Sequence, residues 1–243
     1  QRGSDSSKYI ETLQFANGST IDFADYKNWT FGTSGSDTSY EFSQGQVVYG
    51  GEGADTIFGF GGSHTLIGGA GDDHVVTSSS GNHKLFGGDG NDTLSTDDSS
   101  DDDWLEGGAG NDQMYAWAGN DTLIGGEGND MYYYRDGDGQ DTIIDSSGSD
   151  SLMLAESIGN FDLEDLIFEN TDNFDVTITI STSPGDSILV QDQRNENGTG
   201  QVEELVLGWS DDDFSLNFGE YNNWAIGTSN NETLIGNNAQ NDT

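Results

Sequence analysis

The sequence predicts an all-β fold in two parts: a solenoid of about six coils, then antiparallel β segments that cap it. Three observations carry this expectation. A glycine-aspartate phrase returns five times, as GGEGADTIF at Gly50–Phe58, GGAGDDHVV at Gly68–Val76, GGDGNDTLS at Gly87–Ser95, GGAGNDQMY at Gly107–Tyr115 and GGEGNDMYY at Gly125–Tyr133. Worn copies in the same register fill the spaces, at Glu41–Tyr49, Gly59–Ile67, Ser78–Phe86, Asp98–Glu106, Ala116–Ile124 and Asp136–Ile144, so good and worn copies alternate. Beyond Asp145 the grammar changes to alternating apolar segments, at Leu152–Leu154, Leu166–Phe168, Val176–Ile180, Ile188–Gln191 and Val202–Leu207, a period of two that reads as strands.

The alternation has a geometric meaning. If two nonapeptides make one coil, copies 18 residues apart stack on one another. The better copies, with Gly32–Tyr40 as a sixth, then align Asp37, Asp55, Asp73, Asp92, Asp112 and Asp130 at position 6 on one edge. The worn copies align Gln46, His64, His83, Asp103, Asp121 and Asp141 on the other. Position 8 is the inward position: Ile57, Val75, Leu94, Met114 and Tyr132 on one side, Val48, Leu66, Leu85, Leu105, Leu123 and Ile143 on the other, with Ser39 the exception in the first coil.

Composition sets the energetic problem. Of 243 residues, 45 are acidic and 6 basic, giving a formal charge of −39, and only 31% are apolar. Low hydrophobicity with high net charge ordinarily leaves a chain disordered, so something must neutralise the acid, and a divalent cation is the obvious agent. The charge repels nucleic acid and anionic membrane, so without a bridging cation neither is expected as a partner. The absence of cysteine excludes disulfides and thiolate metal sites, and no apolar run is long enough for a transmembrane helix.

The five full copies fit G-G-x-G-x-D-x-U-x, with U a large apolar residue, and on those residues the chain resembles the calcium-binding nonapeptide repeats of the repeats-in-toxin (RTX) family. The resemblance implies a parallel β-roll with each ion between stacked turns. One turn would give carbonyls from positions 2 and 4, the next from positions 1 and 3, and both their position-6 aspartate. Carried onto this sequence, the ligands are Asp37; Gly50, Gly51, Glu52, Gly53 and Asp55; Gly68, Gly69, Ala70, Gly71 and Asp73; Gly87, Gly88, Asp89, Gly90 and Asp92; Gly107, Gly108, Ala109, Gly110 and Asp112; and Gly125, Glu127 and Asp130. Asp103, Gly119, Asp121 and Asp141 make a half-ladder on the worn side that binds only towards its C-terminal end. Roughly six to eight calcium ions are expected in all. Without them, stacked carboxylates about one strand spacing (~4.8 Å) apart repel, so the roll is expected to fold only with calcium.

The implied function is structural: a calcium-folded block of a large secreted bacterial protein, an adhesin or haemolysin-like toxin exported by type I secretion. No catalytic signature such as H-E-x-x-H or G-x-S-x-G is present. Its expected partners are calcium and neighbouring blocks of the same chain, without membrane insertion by this segment. A calcium-dependent module for extracellular carbohydrate and a surface-layer subunit are the alternatives. His64 and His83 fit either a metal or pH-sensing pair or turn residues filling vacated calcium positions. Trp104, Trp117 and Tyr132–Tyr134 fit packing against a cap better than a sugar platform. Four segments are expected: 1–31 the tail of a preceding cap, 32–145 the roll, 146–224 its C-terminal cap, and 225–243 the start of a next block. The first and last rest on a long repeat, in which Ile10–Phe15 corresponds to Val202–Leu207 and Asp25–Thr33 to Glu220–Thr228.

Overall fold

A computed structural model describes residues 12–14, 20–22, 29–41, 45–96, 100–155, 166–170, 176–181, 185–191, 202–207 and 214–217. All regular structure among them is strand. β1 (Thr12–Gln14) and β2 (Thr20–Asp22) form an antiparallel pair. The chain then alternates between two parallel sheets. In order come β3 (Trp29–Phe31), β4 (Thr38–Glu41), β5 (Val47–Glu52), β6 (Thr56–Gly59), β7 (Thr65–Ala70), β8 (His74–Thr77) and β9 (Lys84–Asp89). There follow β10 (Thr93–Ser95), β11 (Trp104–Ala109), β12 (Gln113–Tyr115), β13 (Thr122–Glu127), β14 (Met131–Arg135), β15 (Gln140–Ile144) and β16 (Asp150–Ala155). Odd strands from β3 to β15 stack in one sheet and even strands from β4 to β16 in the other, each parallel to the strand one coil away. This is the parallel β-roll that the repeat period predicts.

The register is that of the nonapeptide. Leu85 faces Leu66 on one side and Leu105 on the other, and Leu94 lies between Val75 and Met114. Every expected inward residue from Val48 to Ile143 is buried, in a core between the two sheets that stacks Leu on Leu and Val on Ile along its length. In the first coil, Ser39 and Thr30 instead donate their hydroxyls to Glu41 Oε1, at 3.1 and 2.8 Å. Polar groups facing inward there find a partner in the side chain beside them, which lowers the cost of burial.

The cap continues both sheets before reversing them. The remaining strands are β17 (Leu166–Asn170), β18 (Val176–Ile180), β19 (Ser187–Gln191), β20 (Val202–Leu207) and β21 (Phe214–Asn217). β19 adds to β15 and β20 to β16, both parallel. β18 and β17 then extend one sheet antiparallel, and β21 the other. All five strand segments expected after Asp145 are strands here. Ile178, Ile180, Ile188 and Val190 join the core of the roll, so the last coil does not end as a bare edge open to pairing with another chain. The expected helical turn at Asn160–Asp165, Ser183 and Pro184 of the turn at Ser183–Asp186, and much of the long repeat lie outside the described residues.

Candidate metal centre

The turns that join the odd sheet to the even sheet carry the full nonapeptide copies and make one seam of the roll. The return turns make the other. In the first seam each position-6 aspartate reaches back one coil. Asp55, Asp73, Asp92 and Asp112 each accept the backbone N–H of the preceding aspartate at 2.7 Å through Oδ1, and Asp130 does so at 2.9 Å. Asp150 accepts from Asp130 at 2.8 Å, so this ladder runs one rung further than the sequence reading carried it. The extra turn, Asp145–Met153, keeps Gly148 at position 4, Asp150 at position 6 and Leu152 at position 8, but has Asp145 and Ser146 where the full copies begin with two glycines. Those three positions were the legible signal.

One carboxylate oxygen is thus committed to the ladder. The other, Oδ2, is buried in Asp55, Asp73, Asp92, Asp112 and Asp130 with no hydrogen-bond partner. An unsatisfied buried acceptor costs free energy, more so when charged. Burial accordingly pushes the carboxyls up, Asp73 and Asp112 to about 6, Asp92 and Asp130 to about 7, and neighbouring carboxylates add to the rise at Asp73, Asp92 and Asp130. Asp37, at the top, differs. Its Oδ2 accepts the Thr33 N–H at 2.6 Å and the Thr33 hydroxyl at 2.8 Å, closing its own turn.

The glycines bring the backbone to these oxygens. Position-1 residues Gly50, Gly68, Gly87, Gly107 and Gly125 are buried. A methyl group on Gly68 or Gly87 would collide with Asp73 Oδ2 or Asp92 Oδ2 respectively, so carboxylate oxygen and backbone converge beside the bare Cα. At position 2, Gly88 has φ +124° and packs on the Gly69 carbonyl, a conformation and a clearance that only glycine meets; Gly51, Gly69 and Gly108 stack alike. Position-4 N–H groups of Gly53, Gly71, Gly90 and Gly110 donate to the carbonyls of Ala70, Asp89, Ala109 and Glu127 one coil on, at 2.6–2.7 Å. The side chains of Glu52, Asp89 and Glu127 are exposed, so position 3 offers the seam its carbonyl and not its carboxylate. The donors gathered in this seam are oxygens throughout, the set that suits calcium.

Position 5 adds a second ladder that the sequence reading missed. Asp72 Oδ1 accepts the Asn91 N–H at 2.8 Å, Asn91 Oδ1 that of Asn111 at 2.8 Å, Asn111 Oδ1 that of Asn129 at 2.7 Å, and Asn129 Oδ1 that of Ser149 at 2.9 Å. These bonds run opposite to the position-6 ladder, so each turn is clamped from both neighbours. The GND triplets at Gly90–Asp92, Gly110–Asp112 and Gly128–Asp130 were its signal.

The second seam keeps the ladder and changes its chemistry midway. Asp121 Oδ1 accepts the Asp103 N–H at 2.7 Å and Asp141 Oδ1 that of Asp121 at 2.9 Å. Asp121 Oδ2 is buried without a hydrogen-bond partner. Burial, with Asp141 and Asp103 alongside, pushes the Asp121 carboxyl to about 9; burial pushes Asp141 to about 8. The Gly119 N–H donates to the Asp138 carbonyl at 2.7 Å, and Asp138 itself pairs with Arg135 Nε at 3.1 Å. Above Asp103 the rungs are histidine. His83 donates its N–H to Asp103 Oδ1 at 2.6 Å, while its Nδ1 accepts the His64 N–H at 3.2 Å. With Nδ1 accepting, the proton sits on Nε2, which donates to the Ser79 carbonyl at 2.7 Å. His64 repeats the contact with the Phe60 carbonyl at 3.1 Å, and the two rings stack at 5.7 Å between centroids. Burial lowers the His64 pKa, favouring the neutral ring. The His83 ring here does the hydrogen-bonding work of an aspartate Oδ1, while His64 Nδ1 is buried with no hydrogen-bond partner.

The aromatic residues near the lower coils have separate fates. Tyr132 and Tyr134 are buried in the core, and Tyr134 donates to the Gly139 carbonyl at 2.6 Å. Tyr133 stacks on Tyr115 at 4.0 Å, and Trp117 lies under the Arg135 guanidinium at 4.1 Å. Trp104 is the exception to the packing expectation, at 37% exposed on the outer face of β11.

Two parallel sheets joined by seams of buried, half-bonded carboxylates define a β-roll whose turns present oxygen ligands to a cation. The family model for the RTX calcium-binding nonapeptide repeat (4 copies) matches residues 44–75, 75–101 and 97–132. This stretch of the chain is an RTX repeat array, and the chain carries a calcium-binding structural module. No curated protein matches the chain.

Proposed function

We propose that the roll is a calcium-folded stiffening element of a large secreted bacterial protein, of adhesin or haemolysin-like type. The observation that carries this is the row of buried Oδ2 atoms, on Asp55, Asp73, Asp92, Asp112 and Asp130, that no protein group satisfies. In this reading those oxygens, with position-1 to position-4 carbonyls from adjacent turns, take calcium between coils. The ion supplies the positive charge that lets the carboxylates stay ionised at one strand spacing. Asp103, Asp121 and Asp141 do the same in the second seam, and His64 and His83 take none. The stacked rungs give about eight sites, weakest in the top gap, where Thr33 already holds Asp37.

A chain of formal charge −39 stays extended where calcium is scarce and folds at extracellular, millimolar calcium. That behaviour suits passage through a type I secretion channel followed by folding outside. Among the described residues no helix is long and apolar enough to cross a membrane. Circular dichroism during a calcium titration, with ion counting, tests the reading. The expected outcome is a cooperative gain of β signal with about eight ions bound. A fully folded roll in chelator would count against it.

A further inference from the structure

Three carboxylates meet at the last rung of the first seam, where the roll joins its cap. Asp130, Asp145 and Asp150 each place an oxygen within 4.8 Å of the others', and all three side chains are buried. Asp145 stands at position 1 of its turn, where the five full copies have glycine. A repeat turn offers only backbone at that position; this one offers a side chain as well. A second observation points to a ligand. Asp130, 2% exposed, keeps Oδ2 without a hydrogen-bond partner, and a methyl group on Gly125 would strike that atom, Asp145 Oδ2 and the Tyr132 hydroxyl together. The oxygens therefore converge over the Gly125 Cα. Tyr132, wholly buried beneath them, donates its hydroxyl to Asp145 Oδ2.

We infer that Asp130, Asp145 and Asp150 form a three-carboxylate cation site, unlike the two-carboxylate gaps above it, and that it is the tightest site of the roll. The inference rests on reading the first seam as a cation column. Charge sets its selectivity. Two carboxylates balance one calcium, whereas three leave an excess negative charge with calcium and none with a trivalent ion. The site should hold calcium more firmly than the repeat gaps, and trivalent lanthanides more firmly still. Its place also gives it a mechanical role. Asp150 opens β16, and β16 is the strand to which β20 of the cap adds, so an ion held here ties the cap to the roll.

Terbium titration of the calcium-free full chain tests this, because a phenol bonded to a ligand carboxylate sensitises terbium emission at close range. The first equivalent of terbium should give tyrosine-sensitised emission that Tyr132→Phe lowers severalfold. Asp145→Asn should weaken that equivalent at least tenfold, while Asp73→Asn, higher in the same seam, weakens later equivalents. First-equivalent binding that is unchanged in Asp145→Asn overturns the inference, even if calcium still folds the chain and the column stands. Should Asp145→Asn fail to fold in calcium, Tyr132→Phe decides alone: unchanged first-equivalent emission overturns it. If neither calcium nor terbium folds the wild-type chain, the column itself falls, and this site with it.

Discussion

The two seams of the roll share one backbone geometry and differ in the side chains that hang from it. In both, position-6 residues accept the N–H of their counterpart one coil earlier, from Asp55 down in the first seam and from His83 down in the second, whether the acceptor is Asp92 Oδ1 at 2.7 Å or His83 Nδ1 at 3.2 Å. The ladder is therefore a requirement of stacking and not of metal. What separates the seams is the second atom. Asp92 has a bare, buried Oδ2, whereas the far nitrogen of His83 carries a proton and donates it to the Ser79 carbonyl. The His83 imidazole completes its bonding within the protein. An aspartate does not, and that remainder is what a cation can use.

Substitution at matched rungs should break the symmetry most. Asp92→Asn keeps the ladder acceptor and removes the charge from two adjoining gaps, so the calcium midpoint for folding should rise about tenfold or more, ~1.4 kcal/mol for each tenfold. His83→Asn also keeps an acceptor and should leave the midpoint almost unmoved, though thermal stability falls by about 1 kcal/mol with the loss of the Ser79 contact. Equal shifts from the two would mean that the seams do not differ as described.

Acid should act in opposite senses on the buried carboxylates of both seams and on the His64 rung. A free aspartate titrates near ~3.9, while Asp92 and Asp121 in the metal-free roll are raised to about 7 and about 9. Between those values the folded state holds more protons than the unfolded chain, so the metal-free roll loses stability as pH rises and regains it as pH falls. His64 runs the other way. Its pKa is lowered from 6.5, so the folded state excludes a proton that the unfolded chain takes up, and stability falls as pH drops through that value. Many carboxylates oppose this one imidazole, so metal-free samples should show more β signal at pH 5 than at pH 8. With calcium present, protons compete for the same oxygens, and the midpoint should rise on acidification. A metal-free β signal that grows with pH would contradict both the burial and its sign.

A smaller effect would sharpen the comparison. His83→Asp places a carboxylate next to Asp103, so the aspartate run of the second seam grows by one rung. Native mass spectrometry in calcium should then count one more ion than in the wild type. An unchanged count would mean that the upper return turns lack the carbonyl geometry, whatever sits at position 6.

Much of this was legible in the sequence because the repeat ties each residue to one environment. The nonapeptide period placed Val75, Leu94 and Met114 in the core and Asp73, Asp92 and Asp112 in one column, and the structure has them there. Legibility failed where the period loosened. Asp145 and Asp150 were passed over because their turn begins with aspartate and serine in place of two glycines, although a rung needs only its position-4 glycine, its position-6 acceptor and its inward apolar residue. The role of Asn91, Asn111 and Asn129 was missed for another reason: position 5 points to solvent, where no hydrophobic pattern marks it. Nor could the sequence say that Thr33 satisfies Asp37, because that contact is local to one turn.

The most direct measurement is a crystal structure of the chain grown with calcium, with ion positions fixed by anomalous scattering from a strontium-exchanged crystal. The account predicts peaks between successive rungs from Asp37 to Asp150 in the first seam, weakest in the Asp37–Asp55 gap, and between Asp103 and Asp141 in the second. Gaps that stay empty beside the bare Asp73 and Asp92 oxygens, or a peak between His64 and His83, would contradict it.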